Sequence, residues 1–178
     1  MPVSRLSKVL RSLALAFAVS ASPVLLGCAL GEPDTRELHP VEVSRVALDA
    51  ATGAPVVILR ESDGLQRELP IWIGVYEARS IALGLEGVPV PRPNSHDLMH
   101  DMIEELGGKL QRIIVTELRD SVYYAVIELL VDGRRIEVDS RPSDAIAVAL
   151  RFSAPLFVDE RVLVQGSKDD DENPRKDV

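Results

Sequence analysis

The chain is short of the residues on which several common functions depend. It has one cysteine in 178 residues, so no internal disulfide can form. Aromatic residues make up only 4%, too few for a platform that stacks many bases on side-chain rings. Positive charge is also scarce. The 20 Lys+Arg face 28 Asp+Glu, a net charge of −8, whereas a protein held to nucleic acid by its overall field is usually basic. Only one long apolar stretch exists, which excludes a multi-span membrane protein. Gly-x-Ser-x-Gly, P-loop and Gly-x-Gly-x-x-Gly motifs are all missing. The composition that is present, 46% hydrophobic and 27% charged, is that of a globular domain with a core.

The single cysteine has a meaningful position. Arg5, Lys8 and Arg11 form a positive N-terminal region without acids, and Leu13 to Leu26 is apolar apart from Ser20, Ser22 and Pro23. Such a stretch is too short and too rich in small residues for a transmembrane helix and reads as a signal peptide. It ends in Leu25-Leu26-Gly27-Cys28, which resembles a bacterial lipobox. On that reading residues 1–27 would be removed and Cys28 would carry the lipid, while an ordinary signal peptide with an incidental cysteine is the alternative. Ala29 after the cysteine resembles the sorting pattern that favours the outer membrane, so the domain is expected at the cell envelope. The mature chain keeps 17 basic and 28 acidic residues, a net charge of −11. It can meet phosphate only through a local positive patch or a bound metal.

Residues 28–40, with Gly31, Glu32, Pro33, Asp34 and Thr35, read as the lipidated N-terminus and tether. Residues 166–178 carry Asp169-Asp170-Asp171-Glu172 and read as a disordered acidic tail. The domain lies between, at 41–165. Val41, Val43, Val46 and Leu48 alternate with a break, Pro55 to Leu59 is a β-branched run, and Glu68 to Ile73 follows the Asp63-Gly64 turn. A helix is expected over Tyr76 to Glu86, stopped by Gly87. Three prolines keep Val88 to Pro93 extended. Ser95 is the expected cap of a helix over His96 to Leu106, with Leu98, Met99, Met102, Ile103 and Leu106 as its apolar stripe. Strands are expected over Leu110 to Leu118, Val122 to Val131 and Arg134 to Asp139, with Asp132-Gly133 as a hairpin turn. Ser143 is read as the cap of a helix to Phe152, and Pro155 to Val158 and Arg161 to Val164 as short closing strands. Strand, helix and proline segment recur at Pro70 to Val90 and at Arg135 to Leu156, a faint internal echo.

Two proline-containing turns carry the chemistry: Arg92-Pro93-Asn94-Ser95-His96-Asp97 and Asp139-Ser140-Arg141-Pro142-Ser143-Asp144. In each an Arg precedes Pro, a Ser is placed to cap, and an acid falls in the first helical turn. Ordinary capping and dipole compensation account for that pattern. A pocket shared by both helix starts accounts for it as well. Asp97, Asp139 and Asp144 would then hold a divalent cation, Mg²⁺ or Mn²⁺, while Arg92 and Arg141 grip phosphate. His96 and His100 have the i, i+4 spacing of a zinc helix, but Asp97 replaces the usual Glu and no third ligand follows.

The run from Leu69 to Leu163 resembles the bifunctional nuclease domain family. The resemblance is carried by Leu69-Pro70-Ile71-Trp72-Ile73-Gly74, Glu77-Ala78, Ile81-Ala82, Leu85-Glu86-Gly87, Pro91-Arg92-Pro93 and His96-Asp97-Leu98, then Tyr124-Ala125, Asp139, Arg141-Pro142-Ser143-Asp144-Ala145-Ile146-Ala147 and Ala154-Pro155. It implies an α+β domain with a mixed, strongly curved sheet and about three helices, working as a homodimer. It further implies hydrolysis of DNA and RNA phosphodiesters. By matching position it singles out Glu77, Arg92, His96, Asp97, Asp139, Arg141 and Asp144. Asn94-Ser95 departs from the family pattern while keeping a hydroxyl, and His100 lies outside it. A non-enzymatic envelope binding or assembly module on the same fold is the other expectation.

Overall fold

The computed structural model describes residues 36–172, with side chains through Gly166. The expected leader, Cys28 and the tether up to residue 35 lie outside the described residues, as do residues 173–178.

Two antiparallel meanders make most of the sheet. The first is β1 (Leu38–Leu48), β2 (Pro55–Glu61) and β3 (Glu68–Trp72). The second is β4 (Lys109–Arg119), β5 (Val122–Val131) and β6 (Arg134–Ser140). A short strand, β7 (Leu156–Asp159), joins them, antiparallel to β1 and parallel to β4. The mixed seven-stranded sheet runs β3-β2-β1-β7-β4-β5-β6. Helix α1 (Val75–Glu86) follows β3, and α3 (Pro142–Phe152) follows β6; α2 (Ser95–Glu105) lies between the meanders in sequence. The internal echo therefore has a counterpart in topology, because each half is a meander whose outer strand leads into a helix. The two helices pack together closely enough that a Cβ on Gly84 would lie 3.2 Å from that of Leu150.

The broken alternation in β1 is a bulge. Val43 pairs with Leu59 and Arg45 with Ile58, leaving Ser44 as the extra residue; the inward phase shifts by one. At the β5–β6 turn Asp132 and Gly133 have φ of 49° and 74°, as a type I′ hairpin requires. The helix-covered face of the sheet holds the core. Val57, Leu59, Leu69, Ile71, Ile113, Val115, Ala125 and Ile127 meet Ile81 of α1 and Ala145 to Ala149 of α3. At about 1.5–3 kcal/mol per large buried side chain, this layer dominates stability.

Four features depart from expectation. The Asn94 side chain, not Ser95, caps α2, in a capping box with Asp97. Ser143 does not cap α3; Arg141 is the N-cap residue and Pro142 takes the first helical position, where its missing N–H costs nothing. The segment Arg161–Val164 is not a strand but the start of a fourth helix, α4 (Glu160–Glu172). Asp159 accepts the Arg161 backbone N–H at 2.9 Å and so caps it, and adjacent Val162 and Leu163 both point inward. Gly166 lets α4 lie against the sheet, since a Cβ there would come within 2.3 Å of Leu69. The helix continues into the acidic segment as far as Glu172. Finally, of the expected apolar stripe of α2 only Ile103 packs against the core, while Leu98, Met99, Met102 and Leu106 are exposed and His96 is buried. No helix among the described residues is long and apolar enough to cross a membrane.

Candidate functional site

Three helix N-termini meet at one groove of about 760 Å³, within the size range of ligand sites. Its lining includes Tyr76, Glu77, Arg79 and Ser80 of α1, Ser95, His96 and Met99 of α2, Arg92 and Asn94 just before α2, and Arg141 and Asp144 at the start of α3. Each helix places an acid at its third position: Glu77, Asp97 and Asp144. The unpaired N–H groups and the dipole there attract negative charge. In α2 that acid closes the capping box and also accepts from Arg151 at the end of α3. In α1 and α3 Arg141 claims it. Arg141 donates Nε to Asp144 Oδ2 at 2.6 Å, and Nη2 to Asp144 Oδ1 at 2.9 Å and Glu77 Oε1 at 2.8 Å. Glu77 and Asp144 occupy equivalent positions in the two meander-helix halves, with Arg141 as the bridge between them.

Behind this bridge lies a chain of polar contacts. His96 Nε2 is 3.2 Å from Asp144 Oδ1, and His96 Nδ1 is 2.9 Å from Ser80 Oγ. Arg151, in the last turn of α3, donates to Ser80 Oγ at 3.0 Å, to Asp97 Oδ1 at 2.5 Å and to the Ala147 carbonyl at 2.6 Å. Ser80 and His96 are 4% and 7% exposed. Burial raises the pKa of Asp144, but hydrogen bonds from Arg141 and His96 outweigh it and hold the carboxyl below its ordinary value. Burial likewise opposes ionisation of Asp97, and the Asn94 backbone N–H and Arg151 more than compensate. Arg141 is held firmly protonated, first by Asp144 and then by Glu77.

Of the residues picked from sequence, Glu77, His96, Arg141 and Asp144 form one connected cluster, and Arg92 stands on the groove rim. Asp97 falls behind, turned about 100° round the helix from His96 and bound by Arg151. Asp139 does not join them. It pairs with Val126, whose neighbours Ala125 and Ile127 face the core, so alternation sends it to the opposite face of the sheet. The cation site expected from Asp97, Asp139 and Asp144 is therefore not assembled. Among the described residues no group of three His, Cys, Asp or Glu side chains is placed to hold a metal ion. The paired histidines also part company, because the His100 ring lies 4.4 Å from Phe152.

Two members of the network, Ser80 and Arg151, went unread in the sequence. Ser80 interrupts the apolar stripe Ala78, Ile81, Ala82, a weak signal for a polar contact. Arg79 and Arg92 complete the groove. Both are exposed, and neither has an ion-pair or hydrogen-bond partner among the described residues. Although the chain is acidic, its groove thus carries two arginines without a partner beside the engaged Arg141.

The domain is α+β, with three helix N-termini and arginines gathered around one groove. The chain belongs to the bifunctional nuclease domain family, which it matches over residues 57–171. An uncharacterized protein of Mycobacterium tuberculosis is 44% identical over 125 residues, covering 70% of this chain and 74% of that protein. Bifunctional nuclease 1 of Oryza sativa subsp. japonica is 27% identical over 150 residues, 82% of this chain and 45% of that protein. Bifunctional nuclease 1 of Arabidopsis thaliana is 28% identical over 109 residues, 60% of this chain and 34% of that protein. The chain spans less than half the length of these plant relatives.

Proposed function

We propose that the protein is a nuclease that hydrolyses phosphodiester bonds of DNA or RNA. One observation carries the reading: the family's fold here closes three helix N-termini on a groove with Arg79 and Arg92 unpaired at its edge and a His96–Asp144–Arg141 cluster inside. Arg79, Arg92 and Arg141 would grip phosphate oxygens, and the helix termini would stabilise the negative charge on those oxygens in the transition state. Tyr76, 87% exposed beside the arginines, offers a ring for a base. His96 and Asp144 are the proton-handling pair. Divalent-metal dependence is not part of this reading, because the acids that would hold the ion are dispersed or bound to arginine.

The envelope setting is part of the proposal. Cys28 would carry lipid and hold the domain at the outer membrane, where it would act on nucleic acid outside the cytoplasm. The homodimer is proposed on the exposed apolar side of α2, with Met102 central to it; sedimentation of wild type and Met102→Glu tests it by the loss of the dimer.

Cleavage of fluorescent single-stranded DNA and RNA by the full chain, beside Asp144→Asn, tests the activity. The expected result is cleavage that falls by roughly 10²–10⁴-fold in the variant. Equal cleavage by both overturns the site. One observation favours the second reading, a binding module without catalysis: Glu77, Arg141, Asp144, His96, Ser80, Arg151 and Asp97 all satisfy one another. Folded protein that retains oligonucleotide without cutting it would establish that reading instead.

A further inference from the structure

We infer that Ser80 is the nucleophile of this site, with His96 as its base and Asp144 as the group that orients the histidine. The inference rests on the hydrolase reading above and names its covalent step. Its basis is the placement of His96 between a carboxylate and a hydroxyl, one at each ring nitrogen. Asp144 is ionised and can only accept, so His96 Nε2–H donates to Asp144 Oδ1 across 3.2 Å. In the tautomer that leaves Nδ1 without a proton, that nitrogen accepts from the Ser80 hydroxyl 2.9 Å away, a hydroxyl that also lies 3.5 Å from Asn94 Oδ1. Serine, imidazole and carboxylate stand in the relation that activates a hydroxyl in hydrolases, a relation recognised by geometry rather than by chain order. Arg151 Nη2, 3.0 Å from Oγ, supplies positive charge where the oxygen becomes anionic. Ser80 lines the groove with the phosphate-binding arginines, so its target lies on the same side.

The substrate class is a phosphodiester. In the first step Oγ bonds to phosphorus and the bond from phosphorus to the leaving oxygen breaks; the Oγ proton passes to His96 Nδ1 and on to the leaving oxygen. In the second step water bonds to phosphorus and the Oγ–P bond breaks. His96 takes a proton from the water and returns one to Oγ. One water is consumed, a diester becomes a monoester and an alcohol, and nothing is oxidised or reduced.

Diisopropyl fluorophosphate, which phosphorylates activated serines, is the probe. The full chain, Ser80→Ala and His96→Ala are treated with it and mapped by peptide mass spectrometry; the same preparations are assayed on the fluorescent oligonucleotides after thermal melts confirm folding. The expected result is one adduct, on Ser80, formed at least about a hundredfold more slowly in His96→Ala. Oligonucleotide cleavage should fall at least about a thousandfold in Ser80→Ala. Cleavage by folded Ser80→Ala within about threefold of wild type overturns the nucleophile and leaves the nuclease reading standing. An adduct on Ser80 in wild type that cuts no oligonucleotide supports the nucleophile and overturns the nuclease reading. A wild type that cuts but carries no adduct on Ser80 overturns the nucleophile by itself, whatever the variants do.

Discussion

Two clusters among the described residues are built from nearly the same parts, and the first of them lines the groove. In the first, His96 stands with Ser80, Asp144, Arg141 and Glu77. In the second, His39 stands between Glu61 and Glu160, 3.3 and 2.8 Å away. Arg67 grips both acids, donating Nε and Nη2 to Glu61 at 2.9 and 2.8 Å, and Nη1 and Nη2 to Glu160 at 3.0 and 2.7 Å. The second cluster ties β1, the end of β2 and the start of α4 together around a nearly inaccessible Glu61. Among the described residues no hydroxyl is hydrogen-bonded to its histidine, and its arginine is fully engaged. Charged residues in a pattern are therefore not a site in themselves. The first cluster differs by its neighbours: a groove, three helix N-termini, and Arg79 and Arg92 with no partner among the described residues.

The comparison is sharpest where each cluster is broken. Arg67→Ala strands Glu61 in the interior without its counter-charge, a change that typically costs about 3–5 kcal/mol. Chemical denaturation should show that loss, while cleavage per folded molecule stays at the wild-type value. An activity loss in Arg67→Ala that outruns its loss of folded protein would erase the distinction between the clusters.

Arg79→Ala and Arg92→Ala should act in the opposite sense. Each removes a groove charge with no internal partner, so stability should move by under about 0.5 kcal/mol. Oligonucleotide binding should weaken, and the salt dependence of log K should flatten by about one unit per residue. Melting curves and binding titrations at several salt concentrations separate these effects.

Acid should affect both clusters. Hydrogen bonding by Arg67 lowers Glu61 against the opposing effect of burial; Asp144 is lowered by Arg141 and His96, and Asp97 by the Asn94 backbone N–H and then Arg151, both despite burial. Carboxyls with folded pKa values below their unfolded values stabilise above the unfolded value, about 4, and lose that contribution as pH falls through the folded one. The melting temperature should therefore hold from pH 7 to about 5 as far as these groups decide it, then drop below about 4. Replacing Glu61 by Gln should shrink the acid-dependent part of that drop.

The end of α3 bears on stability alone, away from either cluster. Ser153 sits there at φ 51°, a left-handed position that suits glycine. Ser153→Gly should raise stability by about 0.5–1 kcal/mol without altering cleavage, as a melt and an assay would show.

Local features made much of the fold legible. Asp132-Gly133 marked its hairpin, Gly87 the end of α1, and the broken alternation at Val43 to Val46 was the β1 bulge seen in one dimension. α4 was lost because Val162 and Leu163 are adjacent, which resembles a short strand unless Asp159 is read as a cap. The site was half legible. Capping logic exposed Asp97 and Asp144, since helix starts advertise themselves. It could not say that Asp97 turns away from the groove, nor that strand alternation removes Asp139. Ser80 contacts His96 across 16 positions of sequence, and Arg151 reaches Ser80 across 71; both contacts exist only after α1, α2 and α3 have packed.

The most direct test of the account sets the two clusters side by side. Wild type, Asp144→Asn and Arg67→Ala, each corrected for its folded fraction, are assayed for cleavage of the same labelled single-stranded oligonucleotides. The account predicts cutting by wild type and Arg67→Ala and a loss of at least about a hundredfold in Asp144→Asn. Equal cutting by Asp144→Asn and wild type, or no cutting by folded wild type, would contradict it.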